Sequence, residues 1–190
     1  NNLHKLDGLA LELANEFLEK KNEIRKRFVK FDWTKLKGER LRVHGDYHLG
    51  QILVKDDDFY ILDFEGEPES TIRDRKVKQP PLKDVAGLFR SFHYAIYATI
   101  FNNLDNYQQS QEALFEAGEI LYQYFIGLFL GTYVQEIQDA NINIGYQQER
   151  IFLLKYSLLE KAVYELGYEL NSRPRWAVIP LKGISNIINH

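Results

Sequence analysis

Two short polar segments hold most of the side chains able to do chemistry: HGDYHLGQ, from His44 to Gln51, and DFEGEP, from Asp63 to Pro68. Phosphoryl transfer needs a carboxylate that orients or deprotonates an attacking hydroxyl, and hard oxygen ligands for the divalent ion that neutralises nucleotide phosphates. Asp46, an amide oxygen five residues later at Gln51, and a second carboxylate at Asp63 supply such a set. Glu65 and Glu67 flank Gly66; they read either as a solvated acidic turn or as help for a second magnesium or for sugar hydroxyls. A rival chemistry exists. His44, Asp46 and His48 alternate, and on a strand they would put three ligands for zinc or iron on one side, as in a metallohydrolase. Gly45 and Gly50 favour a loop instead, and His4, His93 and His190 are scattered.

These segments must be held by their neighbours. Leu6, Leu9, Leu13, Phe17, Ile24 and Phe28 recur at helical spacing, which predicts a long helix over about 5–30 with Glu19, Glu23 and Arg27 on the solvent side. Leu41-Val43, Ile52-Val54 and Phe59-Leu62 read as short strands, the last two joined into a hairpin by Asp56-Asp57-Asp58. After Pro80-Pro81, Asp84 suits a helix N-cap and a brace for the first motif, with Arg90 as its partner, and Val85, Leu88, Phe89, Phe92, Ile96 and Ile100 continue at helical spacing. Further helices are expected over about 111–137 and 146–169, and an extended or irregular tail at Ala177 to Leu181. The class is therefore α+β, predominantly helical, with a small hairpin sheet carrying the reactive loops.

Composition narrows the field. A chain of 190 residues fits one domain of about 150 residues or slightly more. Lys and Arg total 24 against 27 Asp and Glu, a net charge of −3, which offers no global basic field for nucleic acid. The densest basic run, Arg73, Arg75, Lys76 and Lys78, reads as a solvated loop or a phosphate neighbour. With no cysteine, disulfides, thiol catalysis and thiolate zinc sites are excluded. The start, Asn1-Asn2-Leu3, in a chain without methionine reads as a cut through a longer polypeptide, with no secretory signal before the fold. Ile120 to Val134, the greasiest stretch, is fifteen residues long and interrupted by Gln123 and tyrosines, so no membrane span is expected.

The late helix offers Lys161, Tyr164, Glu165 and Tyr168, three or four apart and so on one face. A core-facing aromatic helix is the plain reading. Aromatic faces beside polar groups also suit a disaccharide.

Four blocks in order carry a family resemblance: HGDYHLGQ, DFEGEP, PLKDVAGLFRSFHYA (Pro81 to Ala95) and EKAVYELGYELNSRPRW (Glu160 to Trp176). The first two resemble the catalytic and metal-binding loops of protein-kinase-like phosphotransferases, in the aminoglycoside phosphotransferase branch. All four together resemble the bacterial maltokinases, often fused to trehalose synthase. The resemblance implies ATP-dependent transfer to the anomeric hydroxyl of maltose, giving maltose 1-phosphate in a cytoplasmic enzyme. It implies Asp46 as the catalytic carboxylate, and Gln51 and Asp63 as ligands of the magnesium that binds the nucleotide, with Glu65 as a further metal candidate. Gln51 replaces the asparagine of most relatives and lengthens the arm by one methylene. His48, Lys161, Tyr164, Glu165 and Tyr168 are the substrate candidates. Residues 1–190 would form the helical C-terminal lobe, with the reactive loops in 40–68 and the sugar-binding helices in 84–176. Nothing before Leu41 resembles the nucleotide-covering lobe, so the chain alone is expected to turn over little. Two alternatives stay open: a non-catalytic docking or regulatory lobe associated with trehalose synthase, and a phosphotransferase for another small hydroxylated acceptor.

Overall fold

The computed structural model describes residues 2–29, 32–67, 70–104 and 108–189, and of Arg27 and Phe28 the backbone alone. Pro68 of the second motif, the Phe28 side chain and His190 lie outside the described residues. Six α-helices and one antiparallel hairpin are described: α1 (Gly8–Val29), β1 (Ile52–Lys55), β2 (Asp58–Ile61), α2 (Ile72–Arg75), α3 (Leu82–Asn103), α4 (Gln111–Asp139), α5 (Gln147–Ser172) and α6 (Val178–Asn189). The fold is predominantly helical with a two-stranded sheet.

The hairpin follows from its acidic turn. Asp56 and Asp57 both take positive φ (51° and 64°), the backbone that matches the twist of paired strands, and the pairing runs from Ile52↔Ile61 to Lys55↔Asp58. The strand expected at Leu41-Val43 does not form. Leu41 makes only an isolated antiparallel bridge to Gln79, because its partner is a single residue from the basic loop rather than the hairpin.

α3 packs against α5, α5 against α6, and α6 against α1. One core joins Leu13 and Ala14 of α1 to Tyr97, Leu159, Ala162, Ile179 and Ile184; a second gathers Leu82, Val85, Phe89, Tyr122 and Leu153. The tail expected to be extended or irregular is instead a 3₁₀ turn (Pro174–Ala177) running into α6. Pro180 falls in the first turn of α6, where a missing N–H breaks no helical bond. Val178, Ile179 and Leu181 are buried there, so packing supplies what local propensity withholds. The stretch Ile120 to Val134 lies inside the 29-residue α4, which by length and composition alone could cross a membrane, as core helices of soluble proteins also could. Its outer side leaves Ile120, Tyr124 and Leu128 exposed.

A polar network crosses the core. Glu119 accepts from His93 Nε2 (2.9 Å), from the Tyr97 hydroxyl (2.8 Å) and from Asn186, while His93 Nδ1 faces Arg90 Nη1 at 3.1 Å. Burial pushes the His93 imidazole down to about 4. Burial alone would raise the Glu119 carboxyl, but the hydrogen bonds from His93, Tyr97 and Asn186, with the charge of His93, outweigh it and bring it down to about 2. Both groups hold fewer protons in the native state than in the unfolded chain, so their contribution is complete at neutral pH and falls with acidification. His93 withdraws its share between its ordinary value of 6.5 and about 4. Glu119 does so between 4.5 and about 2. Urea midpoints of the parent protein should therefore drop between neutral pH and about pH 4.5, and His93→Gln should flatten the upper part of that profile.

Candidate active site

The first motif is an irregular loop lying on α3. Close approach requires Gly87, since a β-carbon there would sit 2.6 Å from the Tyr47 carbonyl oxygen. Asp84 then fastens the loop: its Oδ2 accepts the His44 N–H at 2.7 Å and its Oδ1 the Gly45 N–H at 2.9 Å. Asp84 is not the N-cap of α3, which is Pro81; its carboxylate turns to the loop instead. Ser91 Oγ accepts the Leu49 N–H at 3.0 Å.

The two motifs meet through buried His44 and at their glycines. His44 Nε2 donates to the Leu62 carbonyl at 2.6 Å, which places the imidazole proton on Nε2. Its ring lies 5.0 Å from that of Phe64, centroid to centroid. Gly45, at φ +90°, comes so close that a β-carbon on it would be 3.2 Å from Gly66 Cα. These contacts disfavour the metallohydrolase reading. His44 has its Nε2 engaged by a carbonyl, and no cluster of three His, Cys, Asp or Glu side chains able to hold a metal exists among the described residues.

Gln51 and Asp63 are brought together. Gln51 closes a 3₁₀ turn before β1, Asp63 follows β2, and the ladder is extended by Leu62 N–H donating to the Gln51 carbonyl at 2.8 Å. The Gln51 amide nitrogen then lies 3.1 Å from Asp63 Oδ2. Asp63 takes φ +58°, uncommon for a residue other than glycine and the kind of strain that concentrates at functional sites. An octahedral magnesium has oxygen ligands about 2.0–2.1 Å away, hence about 3 Å apart when adjacent, and it uses one or two carboxylates plus substrate phosphates. Turning the Gln51 amide so that its oxygen replaces the nitrogen meets that spacing, so the two side chains fit such an ion. Glu65 is exposed on the turn that follows.

Asp46 is reached from the other side. Lys161 of α5 places Nζ 3.2 Å from Asp46 Oδ1 and 3.0 Å from Glu67 Oε2, bridging both motifs. Burial alone would lower the Lys161 pKa, but the hydrogen bond to Glu67 and the charge of Asp46 more than reverse it, so the ammonium is held above the usual lysine value. His48 accepts the Gly50 N–H on Nδ1 at 3.0 Å and turns Nε2 towards Asp46 Oδ2 at 3.9 Å. Tyr164 lies beside the Lys161 ammonium, 5.6 Å from ring centroid to Nζ. Tyr168 lies further along near Arg173, at 5.8 Å. Glu165 is not gathered with them: it turns inward to Arg90, its Oε2 2.7 Å from Nη2 and 2.8 Å from Nε. Arg90 is thus the partner of Glu165 and not of Asp84. In the basic run, Arg75 folds against Gly66, while Arg73, Lys76 and Lys78 are exposed.

The nearness of Gln51 to Asp63 is readable from the sequence, whereas the Glu67–Lys161 link is not. Asp84→Ala leaves two loop N–H groups without their acceptor. In the parent protein it is expected to cost about 1–3 kcal/mol of stability. It should also lower kcat by about tenfold or more, on the reading that Asp46 is catalytic. A fall in kcat larger than the change in KM, with native circular dichroism, would mark Asp84 as a positioning residue.

Comparisons with known proteins agree in direction. No family model matches the chain. The glucosamine kinase of Streptacidiphilus jiangxiensis is 25% identical over 146 residues, covering 77% of this chain and 31% of the relative. The glucosamine kinase of Mycolicibacterium smegmatis (strain ATCC 700084 / mc(2)155) is 27% identical over 138 residues, covering 72% and 32%. Among solved structures, a glucosamine kinase (crystal form B) superposes with a TM-score of 0.72 at 19% identity, over 99% of this chain and 42% of the other. A glucosamine kinase in complex with glucosamine, ADP and inorganic phosphate superposes at 0.70 and 21% identity, over 99% and 44%. The chain spans about a third of the length of the curated relatives it matches. It has the fold of that part of a sugar kinase.

Proposed function

We propose that the chain is the helical, catalytic-loop-bearing lobe of an ATP-dependent sugar phosphotransferase of the aminoglycoside phosphotransferase-like class, with maltose as acceptor and maltose 1-phosphate as product. The observation that carries the reading is the meeting of the two motif loops, with Gln51 and Asp63 at 3.1 Å on one side and Asp46 joined to Glu67 through Lys161 on the other. Asp46 orients the sugar hydroxyl and takes its proton. The hydroxyl oxygen forms the new bond to the γ-phosphorus as the bond to the β–γ bridging oxygen breaks, and ADP leaves with that electron pair. Gln51 and Asp63 would hold a magnesium ion, which when bound neutralises charge on the nucleotide phosphates. Glu65, exposed on the turn after Asp63, is the candidate ligand for a second ion. Tyr164 and Tyr168 offer ring faces to the sugar, and His48 and Lys161 offer donors beside the reacting hydroxyl. Glu165 belongs to the core through Arg90. Fusion or association with trehalose synthase goes with the maltose reading.

A second reading keeps the chemistry and changes the acceptor. It is favoured by the relatives' names, since those proteins are glucosamine kinases. Supplying the full-length parent protein with Mg-ATP and, separately, maltose, glucose, glucosamine and an aminoglycoside decides between them. Maltose-dependent ADP release with formation of an alkali-stable, acid-labile sugar phosphate is expected; ADP release with glucosamine alone would establish the second reading.

A further inference from the structure

Resting on that sugar-phosphorylating function, the geometry points to Lys161 as the residue that restricts the acceptor to a neutral sugar: its ammonium occupies the carboxylate pair on which a protonated amino sugar would otherwise sit. Asp46 and Glu67 come from different motifs, and each carries a partly shielded carboxylate facing the same point. Left alone, such a pair is a binding site for an external ammonium. Here that position is filled from α5, with Nζ at 3.2 and 3.0 Å from the two carboxylates. An ammonium has three donors. Two are directed to Asp46 and Glu67, and the third remains for a hydroxyl oxygen of the acceptor. A hydroxyl can accept that bond, whereas a second ammonium has no lone pair to offer and meets a like charge at contact distance. His48 adds to the discrimination, because with Nδ1 accepting from Gly50 its Nε2 also presents a donor towards Asp46. Tyr164 completes the surroundings with a ring face beside Nζ. The groups facing Lys161 are thus Asp46 and Glu67 from the loops and Tyr164 from its own helix, with His48 beyond Asp46.

Like charges about 4 Å apart near a protein surface repel strongly enough to give a preference of about tenfold or more. The test uses the full-length parent protein with Mg-ATP and two matched acceptor pairs: glucose with glucosamine, and maltose with 2-amino-2-deoxymaltose. Sugar amines lose their proton near the α-amino range of about 7.7–8.0, so measuring kcat/KM at about pH 6.5 and about pH 8.5 switches the acceptor's charge. Taking the ratio within each pair cancels the enzyme's own titration. The neutral member is expected to be preferred at least about tenfold at the lower pH, with the preference falling several-fold at the higher. Lys161→Met should shrink the low-pH preference by about tenfold. If that variant does not fold, Lys161→Gln, likewise uncharged, takes its place. Sugar phosphate formed equally well from both members at low pH, or better from the amino member, overturns the role of Lys161 and leaves sugar phosphorylation standing. Sugar phosphate from none of the four overturns the function itself.

Discussion

Asp46→Asn in the full-length parent protein is expected to lower kcat for phosphoryl transfer by about 10²–10⁴-fold, the usual worth of a positioned general base. The substitution is conservative in shape. Asparagine keeps an oxygen where Oδ1 accepts from Lys161, and Lys161 keeps Glu67 as a second partner, so the two loops stay joined. The loop backbone is held by Asp84 and Ser91 rather than by the Asp46 side chain. On the proposed mechanism, what is lost is the ability to take the acceptor's proton. KM for the sugar should therefore change little while kcat collapses. Turnover like that of the wild type would remove Asp46 from the mechanism.

The second large effect is on stability. Glu165→Ala strips the counter-charge from Arg90, a guanidinium whose side chain is only 2% exposed. Breaking a buried ion pair by removing one partner typically costs about 3–5 kcal/mol, because the remaining charge is left in low dielectric. Gly183 of α6 stands against the Arg90 guanidinium, where a β-carbon would collide with it, so the arginine has little room to swing towards water. Urea denaturation of the parent protein should show the loss directly. Replacing both partners by leucine or methionine should recover most of it, since well-packed apolar residues often equal a buried pair. Unchanged stability with a raised KM for the sugar would instead put Glu165 among the substrate ligands.

Much of this arrangement is legible in the sequence, and the exceptions have physical causes. The hairpin reads directly because three consecutive aspartates tolerate the left-handed turn between two apolar runs. The pairing of Gln51 with Asp63 follows from that hairpin alone, since the two residues flank its base. Asp84 and Arg90 look like partners in sequence, yet six helical steps turn the chain by about 600°, leaving them some 120° apart around the axis. One faces the loop and the other the core. The α6 segment hides behind Pro174 and Pro180, which read as breakers until their positions at helix starts are known. The link from Glu67 to Lys161 spans 94 residues and depends on where α5 crosses the loops, which no local pattern encodes. Expecting a strand at Leu41-Val43 failed because alternation near a loop says nothing of whether a partner strand is present.

The convergence of the two motif loops on one divalent ion is tested most directly by Mn²⁺ binding to the full-length parent protein, followed by electron paramagnetic resonance with and without ADP. Nucleotide-dependent Mn²⁺ binding is expected in the wild type and in Asp46→Asn, with affinity reduced about tenfold or more in Gln51→Ala and Asp63→Ala, in the range seen for altered metal surroundings. Binding in Asp63→Ala as tight as in the wild type would contradict the account.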